Sequence, residues 1–353
     1  MRKQLINLLK FVGFFSIGFL ILFLVYRKQN TAYIAQCQLD GTPLDQCSLI
    51  DKVLSDLAGV NYFWIFTVLF AFFISNISRA VRWNMLIHPL NYKPRFANSF
   101  LSIVLGYFAN LGLPRMGEIV RAGTLAKYEK IPMEKVMGTV VTDRIIDVIS
   151  LAIVIGLAFF FEYDTIYNFI LKNSNPDTIA TINKVLVGLS ITGVFFIALF
   201  FLVRKKINQT TIYLKVKKII SGFWEGIKTV GSLKHPYIFL LHSINIWVMY
   251  FLMTYLCFFA FSPTEHLTLS AALTVFTFGS LGIVIPSPGG LGTYHFLVIA
   301  ALTLYGISGD NAFSFANIMF FSIQLGSIIL FGILSLILLP VINKTPSSIE
   351  EYS

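Results

Sequence analysis

Residues 110–121 read Asn-Leu-Gly-Leu-Pro-Arg-Met-Gly-Glu-Ile-Val-Arg, and residues 285–293 read Ile-Pro-Ser-Pro-Gly-Gly-Leu-Gly-Thr. Each stretch interrupts an apolar run with proline and glycine, and the two stretches lie in opposite halves of the chain. Backbone N–H and C=O groups that lack helical hydrogen bonds are tolerated at membrane depth only where protein buries them or where they line a water-filled cavity. Interrupted segments in corresponding halves therefore indicate a transport site. The pair predicts a membrane protein that moves a substrate.

The composition is that of a membrane protein. Apolar residues make up 56% of the 353 positions and charged residues only 12%, and the mean hydropathy is +0.76. No soluble domain of ordinary size hides that much apolar surface. Windows of roughly 20 residues predict six full spans, at 5–26, 60–78, 145–163, 183–203, 237–261 and 313–340.

Three further apolar stretches, 96–113, 268–285 and 291–306, are short for a span, so charge must decide their topology. If 96–113 crossed completely, the basic residues that follow it would face outside, against the rule that cytoplasmic loops carry Lys and Arg. A re-entrant hairpin that enters from the cytoplasm removes this conflict, and the same reasoning makes 268–306 a hairpin from the opposite side. The predicted fold is an all-α polytopic membrane protein with about six transmembrane helices and two oppositely oriented re-entrant hairpins, arranged as an inverted repeat.

The charge distribution also predicts the orientation. With this topology, 22 of the 27 Lys and Arg lie on the cytoplasmic side, and both termini are cytoplasmic. The net charge of +10 is then an orientation signal, and we expect no nucleic-acid partner. The apolar run from the N-terminus to Tyr26 is longer than a signal-peptide core and is followed directly by Arg27 and Lys28. An uncleaved first span is favoured, with a cleaved signal peptide as the alternative.

The rest of the chain forms one integral membrane domain, residues 1–345, with small loops. The outside loop, 27–59, contains Cys37 and Cys47, which we expect to form a disulfide in an oxidising compartment; two free thiols are the alternative. Neither residue has the neighbours or the spacing of a metal site.

Residues 204–236 contain eight Lys or Arg among apolar residues at partly helical spacing. An interfacial amphipathic helix and a solvated basic linker both account for this pattern. A short tail, 346–353, ends the sequence. Because no loop exceeds roughly 35 residues, a soluble catalytic domain has no room. Nucleotide-binding loops and metal motifs are absent from the sequence, so we predict no cofactor, no metal and no enzymatic activity.

Polar residues gather around the first interruption, where guanidinium groups suit a phosphate because they present a planar donor fork. We expect Arg79, Arg115, Arg121 and Arg144 to hold the phosphate of a lipid headgroup. Glu118, Asp143 and Asp147 would align these arginines, and Asn110 lies beside them. The alternative is a charge network that only sets topology and packs helix ends. Arg82 is predicted to lie at the end of the second span.

The second interruption contains no charge. Gly289, Gly290 and Gly292 precede a predicted helix and leave backbone N–H groups free at its N-terminus, which is an anion-binding arrangement. A tight hairpin packed through small residues, with no ligand, is the alternative.

The runs at 110–121, at 139–147 (Thr-Val-Val-Thr-Asp-Arg-Ile-Ile-Asp) and at 286–292 (Pro-Ser-Pro-Gly-Gly-Leu-Gly) resemble the transmembrane region of the lysylphosphatidylglycerol synthase family. The resemblance covers nearly the whole chain and implies a multi-pass protein of the bacterial inner membrane that translocates or presents a lipid. In bifunctional members of the family an aminoacyl-lipid synthase domain follows the membrane region. This sequence stops at Ser353, so we expect no synthase activity in it. Asp143 stands where the family pattern more often has Glu.

The function predicted from these observations is flippase-like. The substrate would be an anionic membrane lipid, either a phospholipid or a polyprenyl-phosphate-linked molecule. Two alternatives stay open: a membrane-embedded transferase or lipid-presenting subunit that works beside a separate synthase or glycosyltransferase, and a scaffold without transport.

Cysteine labelling tests the predicted topology. Single cysteines at Lys127 and Glu265, introduced into a chain without its native thiols, are expected to react with impermeant reagents from opposite sides of the membrane, because the two hairpins enter from opposite faces. Labelling of both positions from the same side would contradict the opposed hairpins.

Overall fold

The computed structural model describes residues 2–112, 116–165, 167, 230–285 and 287–343. The chain divides into two compact units, one made of residues 1–158 and 233–353 and the other of residues 159–232. Residues 204–229 of the predicted basic segment (204–236) lie outside the described residues. The tail at 346–353 also lies outside them. All residues discussed below as part of the site belong to the first unit.

The described residues form helices joined by turns. Along the chain they are α1 (Arg2–Leu39), α2 (Leu49–Ala58), α3 (Tyr62–Ile87), α4 (Phe96–Gly112), α5 (Gly117–Glu129), α6 (Met133–Phe161), α7 (Pro236–Phe258), α8 (Leu269–Val284), α9 (Thr293–Thr303), α10 (Gly309–Met319), a π-helical segment (Phe320–Ser327) and α11 (Ile328–Ile342).

Four stretches of helix in the described residues are long and apolar enough to cross a membrane. They are Tyr62–Leu90, Met133–Phe161, Pro236–Phe258 and Gly309–Ile342, and they overlap four of the six predicted spans. These helices confirm an all-α membrane protein. The predicted span 5–26 lies within α1, and the predicted span 183–203 lies outside the described residues. The number of spans and the re-entrant entry of the hairpins stay predictions.

Two helix boundaries differ from the sequence prediction. The helix predicted to begin near residue 145 begins at Met133, so Asp143 lies inside α6 and not at its start. Likewise α3 continues beyond Arg82 to Ile87. A hydropathy window gives every charged residue the same penalty, whether or not the residue is paired, and so it ends a span there. Arg82 forms ion pairs with both Asp143 and Asp147 inside the protein. Both helices therefore continue past these charged residues.

The first interrupted segment folds as an antiparallel helical hairpin, α4 and α5. Near the turn, the Gly117 N–H donates to the Asn110 side-chain oxygen over 2.7 Å. At the far end, the Asn98 amide donates to Glu129 over 2.5 Å. The helices touch at two glycines, since a Cβ on Gly106 would lie 2.8 Å from the Gly117 carbonyl oxygen. Only a residue without a side chain permits this approach.

The second interrupted segment also folds as an antiparallel helical hairpin, α8 and α9. The Thr293 hydroxyl donates to the Gly282 carbonyl oxygen over 2.7 Å near the turn. The Tyr305 hydroxyl donates to Thr274 over 2.8 Å at the other end. As in the first hairpin, a glycine lies at the contact, because a Cβ on Gly282 would lie 2.7 Å from Tyr294 Cα. The helices on either side of each predicted interruption therefore pack tightly against each other.

An antiparallel pair, α3 and α7, packs against the first hairpin through α3 and against the second hairpin through α7. The Asn245 amide donates to the Ser78 hydroxyl over 2.7 Å near its middle. At its end, the Asn61 N–H donates to the Ala260 carbonyl oxygen over 2.9 Å. One large cluster of buried apolar residues joins α3 and α7 to α8, α9 and α10. This cluster holds the second hairpin against the central pair.

The predicted outside loop, 27–59, is mostly helical, because α1 continues to Leu39 and α2 begins at Leu49. Cys37 and Cys47 are both buried and are free thiols. Burial and the hydrogen bond with the Cys37 thiol raise the pKa of Cys47 to about 11. The two residues are therefore neighbours, and the disulfide between them stays a prediction.

Candidate functional site

Asp143 is the centre of a buried ion-pair network. Its carboxylate is 0% exposed and accepts from three guanidinium groups: Arg82 over 2.6 Å, Arg121 over 2.9 Å and Arg79 over 3.4 Å. Arg79 and Arg82 lie three residues apart on α3, and Arg121 lies on α5. A single carboxylate on α6 thus connects three helices.

Asp147 lies one helical turn further along α6 and completes the network. It accepts from Arg79 and from Arg82, each over 2.7 Å, and from Arg144 over 3.4 Å. Arg144 also pairs with Glu118 of α5 over 3.3 Å. The four arginines and three carboxylates leave a formal charge of +1 (4 − 3).

Arg121 is fixed on the side of the network that faces the core. Its guanidinium carbon lies 3.9 Å from the centre of the Trp83 ring. The Trp83 indole donates in turn to the Thr139 hydroxyl on α6 over 2.9 Å. A desolvated cation over an indole is worth about 2 kcal/mol. This packing holds Arg121 in place beside Asp143.

A cavity of about 510 Å³ adjoins the network. Its charged wall contains Arg79, Arg144, Asp147 and Glu118. The Tyr250 hydroxyl, which accepts from Arg79 over 3.2 Å, also faces it. Tyr107 and Asn110 complete this end of the cavity.

The rest of the cavity wall is mostly apolar. It is formed by aliphatic, aromatic and methionine side chains from α3, α4, α6, α7, α8, α10, the π-helical segment and α11: Phe72, Leu111, Val148, Leu151, Met253, Val275, Phe276, Ile283, Val284, Met319, Ile323 and Ile328. Val148 and Val284 are each 61% exposed although they line the cavity. The cavity therefore reaches the apolar outer surface of the protein on this side.

The second interruption contributes one glycine to the cavity. Gly289 lines it and has a φ of +56°, a value that favours glycine. Gly290 and Gly292 do not line it. A Cβ on Gly290 would lie 3.2 Å from the Ile283 side chain, and one on Gly292 would lie 2.6 Å from the Gly18 carbonyl oxygen of α1. Close packing accounts for these two glycines.

The structure brings most of the predicted site residues together. Arg79, Asn110, Glu118, Arg144 and Asp147 line the cavity, whereas Arg121 and Asp143 lie behind its wall. Arg115 lies outside the described residues.

Sequence reasoning did not assign Arg82 or the two tyrosines to the site. Arg82 was predicted only to end a span, although its spacing of three from Arg79 places both on one face of a helix. Tyr107 and Tyr250 are ordinary aromatic residues in apolar helices, and no sequence signal distinguishes them from lipid-facing residues.

The family model of the lysylphosphatidylglycerol synthase transmembrane region matches residues 48–344. The chain belongs to this family. It is also similar to a UPF0104 membrane protein of Methanocaldococcus jannaschii, with 32% identity over 101 residues. That match covers 28% of this chain and 30% of the relative, so it spans under a third of the relative's length. No solved structure matches the chain.

Replacement of Asp143 by Asn tests the network in this family member. Asp143→Asn keeps the shape of the side chain but leaves buried guanidinium groups without a full counter-charge, which costs about 3 kcal/mol or more. We expect a clearly lower thermal unfolding midpoint of the purified protein in detergent. Glu134→Gln, which removes an exposed carboxylate from the first turn of the same helix, is the matched control and should change the midpoint little. Equal midpoints for the two variants would show that Asp143 does not hold the network.

Proposed function

We propose that this multi-pass membrane protein translocates, or presents, an anionic lipid between the two leaflets of a membrane. The observation that carries the proposal is the shape and chemistry of the cavity. Its guanidinium groups lie at one end and its remaining wall is mostly apolar. An amphiphile with a phosphate headgroup and hydrocarbon chains is complementary to both parts.

The arginine network supports an anionic headgroup. Its net charge is +1 (4 − 3, as above). In addition, the Nε group of Arg79, which lines the cavity, has no hydrogen-bond partner among the described residues. The network thus has more donors than its own carboxylates satisfy. A phosphate near Arg79 and Arg144 would supply hydrogen-bond acceptors and negative charge, and the network is short of both.

The surroundings of the cavity support lipid access and movement. Val148 on α6 and Val284 on α8 line the cavity and face the outside, so hydrocarbon chains have an apolar route of entry. The two hairpins meet at the cavity, where the Leu111 side chain lies 3.5 Å from a Cβ position on Gly289. We propose that one hairpin repacks against the other during transport.

The proposal includes the cellular context. We place the protein in a bacterial inner membrane with both termini in the cytoplasm, and a separate synthase or glycosyltransferase would supply or consume the lipid. The substrate is a phospholipid or a polyprenyl-phosphate-linked molecule. We propose no catalysis in this chain, because the cavity carboxylates Glu118 and Asp147 are both ion-paired with arginine and so are poorly placed to act as a base.

Reconstitution tests the proposal through Arg144, which lines the cavity and is less buried than Arg79. The purified protein is placed in phosphatidylcholine vesicles with a trace of fluorescent phosphatidylglycerol, and movement between leaflets is followed by quenching from outside. Wild-type protein should exceed empty vesicles, and Arg144→Gln should lower the rate about tenfold or more, since it loses a charge-assisted contact.

Arg27→Gln is the matched control, because Arg27 is exposed on α1 and lies outside the cavity. It should retain the wild-type rate. Two results would contradict the proposal. Wild-type rates no higher than those of empty vesicles, for phosphatidylglycerol and for a polyprenyl phosphate, would remove translocation. Equal loss in Arg144→Gln and Arg27→Gln would remove the cavity as the recognition site.

A further inference from the structure

We infer that the cavity contains a second, uncharged binding subsite, formed by Thr254, Ser280 and Gln324, which takes an ester carbonyl of the bound lipid. The inference rests on the proposed function for the nature of the ligand. The subsite would distinguish lipids that have a hydrogen-bond acceptor next to the headgroup from lipids that lack one. The arginine network alone does not distinguish them.

Thr254 gives the strongest observation. Its side chain is 0% exposed, it lines the cavity, and its hydroxyl has no hydrogen-bond partner in the part of the chain that the structure describes. A buried hydroxyl in a helix usually donates to a carbonyl of its own helix. Ser243 on the same helix does so over 2.9 Å, and Thr277 on α8 does so over 2.7 Å. The hydroxyl of Thr254 therefore differs from these two, because it lacks an intrahelical acceptor and belongs to a residue that lines the cavity.

Trp247 is a second unpartnered donor in the cavity wall, on the other side of Tyr250 from Thr254. Its Nε1 group is also buried without a partner among the described residues, and the residue lines the cavity. An indole N–H can only donate. By contrast, the buried indole of Trp83 donates to Thr139. A group that binds beside Trp247 must consequently provide an acceptor oxygen.

Two more neutral polar side chains line the same cavity. Ser280 comes from α8 and Gln324 from the π-helical segment. The subsite thus draws polar groups from three elements into a wall that is otherwise apolar. π-helical turns within α-helices occur frequently at functional sites, and this one places Gln324 in the cavity wall.

The position of Thr254 relative to the arginines fits a glycerol ester. Trp247, Tyr250 and Thr254 lie at spacings of three and four on α7, so they share one face of the helix. Tyr250 contacts Arg79 at the charged end of the cavity. Thr254 lies one helical turn further on, about 6 Å along the axis. Thr254 therefore lines the cavity about one helical turn beyond the residue that contacts Arg79, where the glycerol esters of a lipid whose phosphate bound Arg79 would lie.

Lipid chemistry makes this subsite selective. A diacyl phospholipid carries two ester carbonyls a few bonds from its phosphate, and each is a good acceptor. A dialkyl phospholipid with the same headgroup has ether oxygens, which accept more weakly. A polyprenyl phosphate has only hydrocarbon at this position. The subsite should therefore favour the diacyl lipid.

Competitive binding tests the inference. Purified full-length protein is equilibrated with equal amounts of diacyl and dialkyl phosphatidylglycerol, and the bound lipids are quantified by native mass spectrometry. The wild-type protein should bind the diacyl lipid about fivefold better, the effect of one or two net hydrogen bonds. Thr254→Val and Gln324→Met should each lower this ratio towards one, and Thr254→Ser should keep it.

Thr277→Val is the matched control, because it removes a buried hydroxyl that does not line the cavity. It should keep the wild-type ratio. Equal binding of the two lipids by the wild-type protein overturns the inference, as does a ratio that neither Thr254→Val nor Gln324→Met lowers. If Thr254→Val does not fold, the wild-type and Gln324→Met ratios still decide.

The same experiment separates this inference from the proposed function. A diacyl preference in binding together with no lipid movement in vesicles would leave the subsite in place and contradict translocation. Lipid movement at equal rates for diacyl and dialkyl lipids, with equal binding, would support translocation and overturn the subsite. Failure to bind either lipid would overturn both.

Discussion

The arrangement of this protein depends on the contact between the buried carboxylate of Asp143 and three guanidinium groups. In the part of the chain that the structure describes, only 6% of the most apolar stretch of α6 is buried. Near its start, α6 buries Val136, Thr139 and Val140. Beyond these residues the ion pairs connect it to α3 and α5. Because α6 forms one wall of the cavity, these ion pairs also determine the shape of the cavity.

The network has two layers with different roles. Arg82, Arg121 and Asp143 form the rear layer, which is fully buried and fixes the helices. Arg79, Arg144, Asp147 and Glu118 form the front layer, which faces the cavity. Buried charges are tolerated when they are paired and hydrogen-bonded, and a lone charge in the same place is strongly destabilising. The rear layer therefore allows guanidinium groups to be presented at membrane depth, where they would otherwise be too costly.

Much of this account could be predicted from the sequence. The apolar composition and the hydropathy windows indicated an all-α membrane protein, and the motifs around Asn110, Asp143 and Gly289 indicated the family that the comparison confirms. Apart from Arg82, the charged residues of the network were also identified, since charge is rare in such a chain. Their separation into two layers was not predictable, because sequence spacing shows which residues share a helix face but not which face meets the cavity.

The limits of sequence reasoning have physical causes in particular residues. Arg82 seemed by hydropathy to end a span because pairing with Asp143 and Asp147 on another helix is invisible in a local window. Gly290 and Gly292 are predicted to offer backbone N–H groups to an anion, and the sequence does not show that Ile283 and the backbone of α1 lie against them. The hydroxyl of Thr254 differs from other buried hydroxyls only in lacking a partner. Such a property belongs to three-dimensional packing alone.

An experimental structure of the protein in lipid nanodiscs that contain phosphatidylglycerol is the decisive test of the ion-pair network and of the lipid site beside it. We expect Asp143 to contact Arg82 and Arg121 behind the cavity wall. We also expect a lipid in the cavity, with its phosphate beside Arg79 and Arg144. A structure in which Asp143 contacts neither arginine, or in which the lipid phosphate lies away from Arg79 and Arg144, would contradict these expectations.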